Sequence, residues 1–485
     1  MLLYSNEVPL DSDLPLIKSE ISKIDASCDS VNEEIVQLHL RLKQLEAERD
    51  RLSSYRVQKC AILSPLRRMP PEILAEIFSL TRPNVVIPSR RRSGYSPWFL
   101  THVSRRWREI AVSTSSLWSL VVIDDHGDMD SAYSYPVPML ETQIARAQNL
   151  RIHFYGHALF DSHRQVEIFQ YLAQYASRWE ELYLYSSSGS PLLADLRDTI
   201  DPPVAIDFVE SAPSLVDVSI INGTFPVPIS LPADQLTRYE LNAPWETHRG
   251  ILALAPNLVE AHIDVRFRDE SWSDTDVIID LPALNRLFIS HSEVLQHIRA
   301  PVLQELALSV ELTHRLSIAA ELEAFLSHSS CTLRRLCLRR CCSSDTTIAI
   351  LKSIPSLIEL RIMVPVYDGF DEETLMLNLT VHGVASDLIV APQLSAIYFG
   401  TTRHSFRFTS GCRAYVKMVK SRWISPECAL SRAMLMTNLT PDLDTIKDLQ
   451  LLRQEGMEFR SFAQDDALSL LASWVYSRQP RLVDM

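Results

Sequence analysis

Along residues 17–52 apolar side chains recur at alternating steps of four and three: Ile17, Ile21, Ile24, Cys28, Val31, Ile35, Leu38, Leu42, Leu45 and Leu52, with Arg49 the one charged member. No proline or glycine interrupts the run. A step averaging about 3.5 residues keeps one stripe facing one partner helix. The spacing therefore predicts a coiled-coil helix over residues 15–60. The stripe is covered either by self-association through residues 17–52 or by packing back on the same protein. Residues 1–14 are read as a disordered tail.

Two further helices follow. Pro70 and Pro71 bar helix before them but suit a helical first turn, where Glu72 meets the positive end of the helix dipole. From there Ile73, Leu74, Ile77, Phe78 and Leu80 form a stripe too wide for a ten-residue helix to hide alone. Phe99, Leu100, Val103, Trp107, Ile110 and Ala111 recur at helical steps over 98–111, with arginines on the other face. Thr81 to Ser96, with Pro83, Pro88 and Arg90-Arg91-Arg92, reads as a loop.

A different pattern fills the rest. Six times a Pro-x-Leu-x-x-apolar-x-apolar phrase occurs, starting at Pro213, Pro256, Pro282, Pro301, Pro355 and Pro392. Looser copies are Trp179/Leu182/Leu184, Leu236/Tyr239/Leu241 and Leu333/Leu336/Leu338. Each phrase predicts a short strand whose alternate residues point into a core that one copy cannot build unaided. Helical periodicity between phrases, as in Ala319 to Ser327 and Thr346 to Ser353, predicts the returns. Met139 to Ala147 and Arg164 to Tyr175 read as helices of a bridging segment. Periodic stretches at Cys412 to Trp423, Leu443 to Arg453 and Ala467 to Tyr476 read as final repeats and a cap.

The run Met69-Pro70-Pro71-Glu72-Ile73-Leu74-Ala75-Glu76-Ile77-Phe78, then Val103-Ser104-Arg105-Arg106-Trp107, then Leu117-Trp118, resembles an F-box. Ser104 stands where many F-boxes have cysteine, and the loop after Leu80 is longer than in compact ones. The repeated phrase resembles the leucine-rich repeat Leu-x-x-Leu-x-Leu, with Cys341 at its Asn/Cys position and irregular spacing. The composite layout is similar to the expanded F-box families of mushroom-forming fungi.

The expected class is α/β: an N-terminal coiled-coil helix, a small all-α F-box (61–120), a bridging segment (121–175), an irregular leucine-rich-repeat α/β solenoid (176–462) and a C-terminal helical cap (463–485). The resemblance implies the substrate-recognition subunit of an SCF-type ubiquitin ligase. Its F-box would dock to the Skp-type adaptor, and through it cullin, while the repeats bind a protein target. Motif positions carry the adaptor surface onto Leu66, Pro70, Pro71, Ile73, Leu74, Ile77, Phe78, Val103 and Trp107. The other reading is a coiled-coil and leucine-rich-repeat scaffold outside any ligase, its F-box-like helices serving internal packing.

Composition and charge narrow the chemistry. The 11 glycines never lie closer than 11 positions (Gly400 and Gly411), which excludes glycine-clustered phosphate loops and a Gly-x-Ser-x-Gly elbow. A net charge of −13 argues against nucleic acid or anionic membrane as partner of the whole chain, although nine arginines against three glutamates give residues 61–120 a local +6. The eight cysteines include no Cys-x-x-Cys pair. Cys331, Cys337, Cys341 and Cys342 read as structural, and no metal, cofactor or catalytic site is expected. No signal peptide or membrane span is evident, so the expected location is cytoplasmic, nuclear or both. On the strand faces pointing away from the core, Arg335, Arg339 and Arg361, with Arg334 and Arg340 beside them, predict a basic spot. Arginine forks there would suit a phosphate or carboxylate on the target; a solvated charged face is the alternative.

Overall fold

The computed structural model describes residues 10–81, 97–124, 137–156, 162–186, 206–207, 212–222, 229–265, 277–309, 318–339, 343–364, 370–381, 389–401, 408–436 and 443–462. The expected cap at 463–485, the Arg90–Arg92 run, Arg340, Cys341 and Cys342 lie outside the described residues, as do residues 1–9. The chain divides into two units, Met1–Ile77 and Phe78–Met485.

The first unit is dominated by α1 (Leu14–Ile62), which opens with Pro15 in its first turn. Its 49 residues rise about 74 Å at 1.5 Å each. One-turn α2 (Pro65–Arg68) follows and stops at Met69, whose extended ψ of 134° is what a residue before proline prefers. Helix α3 (Pro71–Leu80) begins where the proline pair predicts, and its Leu74 amide donates to the Pro70 carbonyl at 3.1 Å.

In the second unit the expected single helix over 98–111 is two: α4 (Trp98–Val103) and α5 (Arg105–Ser113). Ser104 breaks them. Its backbone is extended (φ −159°, ψ 164°) and its hydroxyl accepts the Trp107 amide at 3.1 Å. A serine competes for backbone donors in this way and so favours a cap over a helix interior. Arg108 Nε bridges the break by donating to the Thr101 carbonyl at 2.8 Å.

The described residues of the remainder include a thirteen-stranded sheet. Its strands are β1 (Leu120–Asp124), β2 (Leu150–Gly156), β3 (Trp179–Ser186), β5 (Asp217–Asn222), β7 (Arg238–Ala243), β8 (Glu260–Val265) and β10 (Arg286–Ile289), then β12 (Glu305–Ser309), β13 (Arg335–Arg339), β14 (Glu359–Val364), β15 (Ala396–Thr401), β16 (Arg432–Met436) and β17 (Glu458–Phe462). Each pairs in parallel with the next in chain order. Two-residue strands β4 (Ile206–Asp207) with β6 (Ile229–Ser230), and β9 (Ile279–Asp280) with β11 (Ile298–Arg299), make two further parallel pairs.

Every apolar position of the nine phrases is buried, from Trp179, Leu182 and Leu184 in β3 to Leu394, Ile397 and Phe399 at β15. Each buried Leu, Ile or Val among them contributes roughly 1.5–3 kcal/mol. Register stacks equivalent positions, so Leu287 lies beside Leu306, then Leu336, then Leu360. Helices Ile318–Ser329, Ser344–Ser353, Glu372–Leu379 and Phe408–Ile424 form the returns between later strands and bury Phe325, Leu351, Leu375 and Tyr415. The tightest phrase spacing, Leu284 to Leu303, is spanned by the short 3-10 turn Ser292–Gln296. The widest, Leu357 to Leu394, contains the α-helix Glu372–Leu379.

The segment read as a bridge, 121–175, supplies the first two strands. Trp118, Val121 and Ile123 occupy the buried phrase positions of β1 without a proline before them. In β2 a register shift between Leu150 and Arg151 closes the usual three-residue step, leaving Leu150, Ile152 and Phe154 as its buried set.

Candidate docking surfaces

The first unit leaves part of its motif uncovered. Leu66 (43% exposed) and Ile73 (49%) stand out with Pro70 and Pro71, and Ile77 is half-buried. Leu74 is fully buried. A helix places residues four apart on one face, and Leu74 and Phe78 make that buried face while Ile73 points away from it. In the second unit Phe78 is also buried, its ring 4.7 Å from that of half-buried Trp107. Val103 is exposed. Of the nine residues read as an adaptor surface, Leu74 and Phe78 therefore act as core.

Within the second unit Trp98 and Trp118 meet edge-on at 5.0 Å, and the Arg146 guanidinium sits over both rings, 4.9 and 4.4 Å from their centres. Trp118 Nε1 donates to the Ala111 carbonyl at 2.7 Å. The tryptophan that closes the helical motif thus also fills the first core position of the sheet, which fastens α5 to β1.

On the sheet face opposite the core, the first row reads Arg151, Glu181, Asp217, Arg238, Glu260, Arg286, Glu305, Arg335, Glu359, Ala396, Arg432, Glu458. Each is the register partner of the next. From Asp217 to Glu359 the sign alternates at every strand. Arg238 reaches Glu260 at 2.8 Å, Arg286 reaches Glu305 at 2.7 Å and Glu260 at 3.4 Å, and Arg335 reaches Glu305 at 2.6 Å and Glu359 at 3.6 Å. Opposite charges on directly facing strand positions stabilise the pairing, and like charges there would oppose it.

Burial opposes ionisation of Glu260, but the His262 ring 2.9 Å away and the Arg238 and Arg286 guanidiniums outweigh it and hold the carboxyl down at about 2. Burial likewise disfavours the Arg286 charge, and its bond to Glu305 with the nearby Glu260 raises its pKa nonetheless.

This row bears on two of the three arginines read as a basic spot. Arg335 and Arg361 are matched by carboxylates, Arg361 lying 2.7 Å from Glu359 with its guanidinium 4.4 Å above the Tyr398 ring. Arg339 lies in register beside Ser309 and Met363 at the far end of its strand. These carboxylates offset the charge of Arg335 and Arg361. Cys337, read as structural, stands on the open face fully buried with Phe288 and Ala307, and burial pushes its thiol up to about 12. It is inert as a nucleophile at neutral pH.

The second row holds what the sequence reading missed at its start: His153, Tyr183, Ser219, Glu240 and His262 are successive register partners. Tyr183 lies 5.3 Å from Tyr155 and 5.4 Å from His153, and Leu120, Val122, Tyr185 and Ile221 pack around the tyrosine pair. The open face thus passes from tyrosine-rich strands, through a balanced charge field, to Tyr398 with Ala396, Met434 and Met363. Among the described residues no group of three or more His, Cys, Asp or Glu could hold a metal ion, and no helix is long and apolar enough to cross a membrane. No protein-family model matches the chain, and no curated protein matches it.

Proposed function

We propose that this chain recruits a protein client to an SCF-type ubiquitin ligase, its F-box-like helices docking to the Skp-type adaptor and its repeats holding the client. The observation that carries the reading is the uncovered apolar edge of α2 and α3, Leu66, Pro70, Pro71 and Ile73, in a motif whose order resembles an F-box. Eight Leu-x-x-apolar-x-apolar phrases and one that opens with Trp179, standing as successive parallel strands, support the leucine-rich-repeat solenoid reading of the second unit. The chain would act by tethering. Holding a client near a charged ubiquitin-conjugating enzyme raises effective concentration and needs no reacting group on this protein.

Client contact is assigned to the open face of the sheet, not to an isolated cluster of arginines, because Arg335 and Arg361 already have acidic partners. A balanced row of charges favours a partner of matched shape and alternating charge over a single phosphate. The compartment that goes with this role is cytoplasmic, nuclear or both.

One observation favours the scaffold reading instead: Leu74 and Phe78, at the centre of the motif, are sealed from solvent. Size-exclusion chromatography of the full chain with purified Skp-type adaptor separates the two. Recruitment predicts a stable one-to-one complex, lost in Ile73→Asp; the scaffold predicts separate elution of both proteins.

A further inference from the structure

We infer that α1 pairs with the α1 helix of a second copy of this chain, as a parallel, in-register, two-stranded coiled coil. This goes beyond the recruiting role and does not depend on it. The apolar seam of α1 is open along its length, from Ile17 at 36% exposed to Leu38 at 62%. A continuous apolar stripe of that extent marks an interaction surface. Its occupant must follow the same repeat. A straight helix drifts about 20° per heptad from a seven-residue pattern, so only a helix with the same repeat, wound around it, stays on the stripe. The chain's own second copy carries that repeat by construction.

Residue identities select the arrangement. Ile21, Cys28, Ile35, Leu42 and Arg49 occupy the first core position of each heptad, and Ile24, Val31, Leu38, Leu45 and Leu52 the second. Ile35 with Leu38 is the one heptad that sets a β-branched first position against leucine in the second, the pairing that favours two parallel strands, whereas Ile21 with Ile24 also suits higher oligomers. Parallel and in register, Arg41 of one helix flanks the seam opposite Glu46 of the other, and each Arg49 lies beside Glu48 of its neighbour. The like-charged crossing of Glu20 and Asp25 falls in the first turns, where both are exposed. An antiparallel pair of full overlap would set Arg49 against Ile24 and Asp25 against Glu46. A lone charged core residue costs stability and in return fixes register, and Arg49 has that place.

The test is the molar mass of the full chain by light scattering at micromolar concentration, with three proteins. Wild type should give twice 55.2 kDa. Leu38→Lys/Leu45→Lys should give one copy's mass; lysine keeps helix propensity and both positions are exposed, so the thermal transition of the sheet should not move. Cys60→Ser under mild oxidation should yield a Cys28–Cys28 linked dimer on non-reducing gels. A monomeric wild type, a trimer, a dimer untouched by the lysine pair, or a dimer that never crosslinks through Cys28 would each overturn the proposal.

Discussion

The guanidinium of Arg335 lies 2.6 Å from the carboxylate of Glu305 on the adjacent strand, and the same carboxylate holds Arg286 from the other side at 2.7 Å. Glu305 is thus the shared member of a three-strand bridge across β10, β12 and β13. It is nearly buried, whereas Arg335 is about half exposed. The Arg286 half of the bridge therefore carries more energy than the screened Arg335 half. Glu305→Gln keeps the shape and removes the charge. It should lower unfolding free energy by about 2 kcal/mol, read as a shifted urea midpoint at constant slope.

Acid should weaken the fold through His248. This ring is fully buried with Nδ1 2.8 Å from the Tyr239 hydroxyl, and burial lowers its pKa to about 4 from an ordinary 6.5. The unfolded chain takes up this proton first as pH falls. The contribution is complete above pH 6.5 and is lost progressively down to pH 4, about 3 kcal/mol in all. His248→Gln should remove close to one proton from the slope of stability against pH in that window. An unchanged slope would assign the acid sensitivity to other groups.

Arg422 is fully buried and spends its guanidinium on backbone carbonyls. Its Nε donates to the Leu379 carbonyl at 2.8 Å, Nη1 to Ala391 at 3.0 Å, and Nη2 to Val390. These bonds close the C-terminus of helix Glu372–Leu379 and hold Ala391 at a φ of 48°, in the left-handed region. Arg422→Met leaves three carbonyls without these donors and should cost about 3 kcal/mol. Arg422→Lys, with one donor head, should recover only part of the loss in the same melt.

Docking and folding can be separated one residue apart. Ile73→Asp puts a charge on an exposed position and should leave thermal stability within about 0.5 kcal/mol of wild type while abolishing adaptor co-elution. Leu74→Asp puts the charge at a fully buried site and should lower stability by about 3 kcal/mol or more. Adaptor binding that survives Ile73→Asp would move the docking surface away from α3.

Ser104→Ala removes the hydroxyl that accepts the Trp107 amide. It should cost about 1 kcal/mol, the usual worth of an N-cap, and Ser104→Asp should restore it. Denaturant melts of the three proteins measure this directly.

Much of the sheet is legible in the sequence. The phrases placed nine strands because Leu-x-x-Leu-x-Leu states both a strand period and which side is buried. β1 escaped because Trp118 had already been assigned to the helical motif, and β2 because its register shift removes the three-residue step. The charge ladder was also present in the text. Aligning the residue before the second apolar position of the seven phrases from Leu215 to Leu357 gives Asp217, Arg238, Glu260, Arg286, Glu305, Arg335 and Glu359, alternating in sign. Reading Arg335 and Arg361 along their own strands made them a basic cluster; reading across strands neutralises them.

Sequence alone determined the length and heptad seam of α1, the start of α3 at its proline pair, and the inward set of the phrase-bearing strands. All of these follow from local periodicity and from where proline permits a helix to begin. Tertiary structure decided the rest: that Leu74 is sealed while Ile73 is open, that Ser104 divides one helix into two, and that Arg238, Arg286, Arg335 and Arg361 of the open face each meet a carboxylate. Such outcomes depend on which side chains are brought together from distant parts of the chain, and periodicity along one segment carries no record of what stands opposite it.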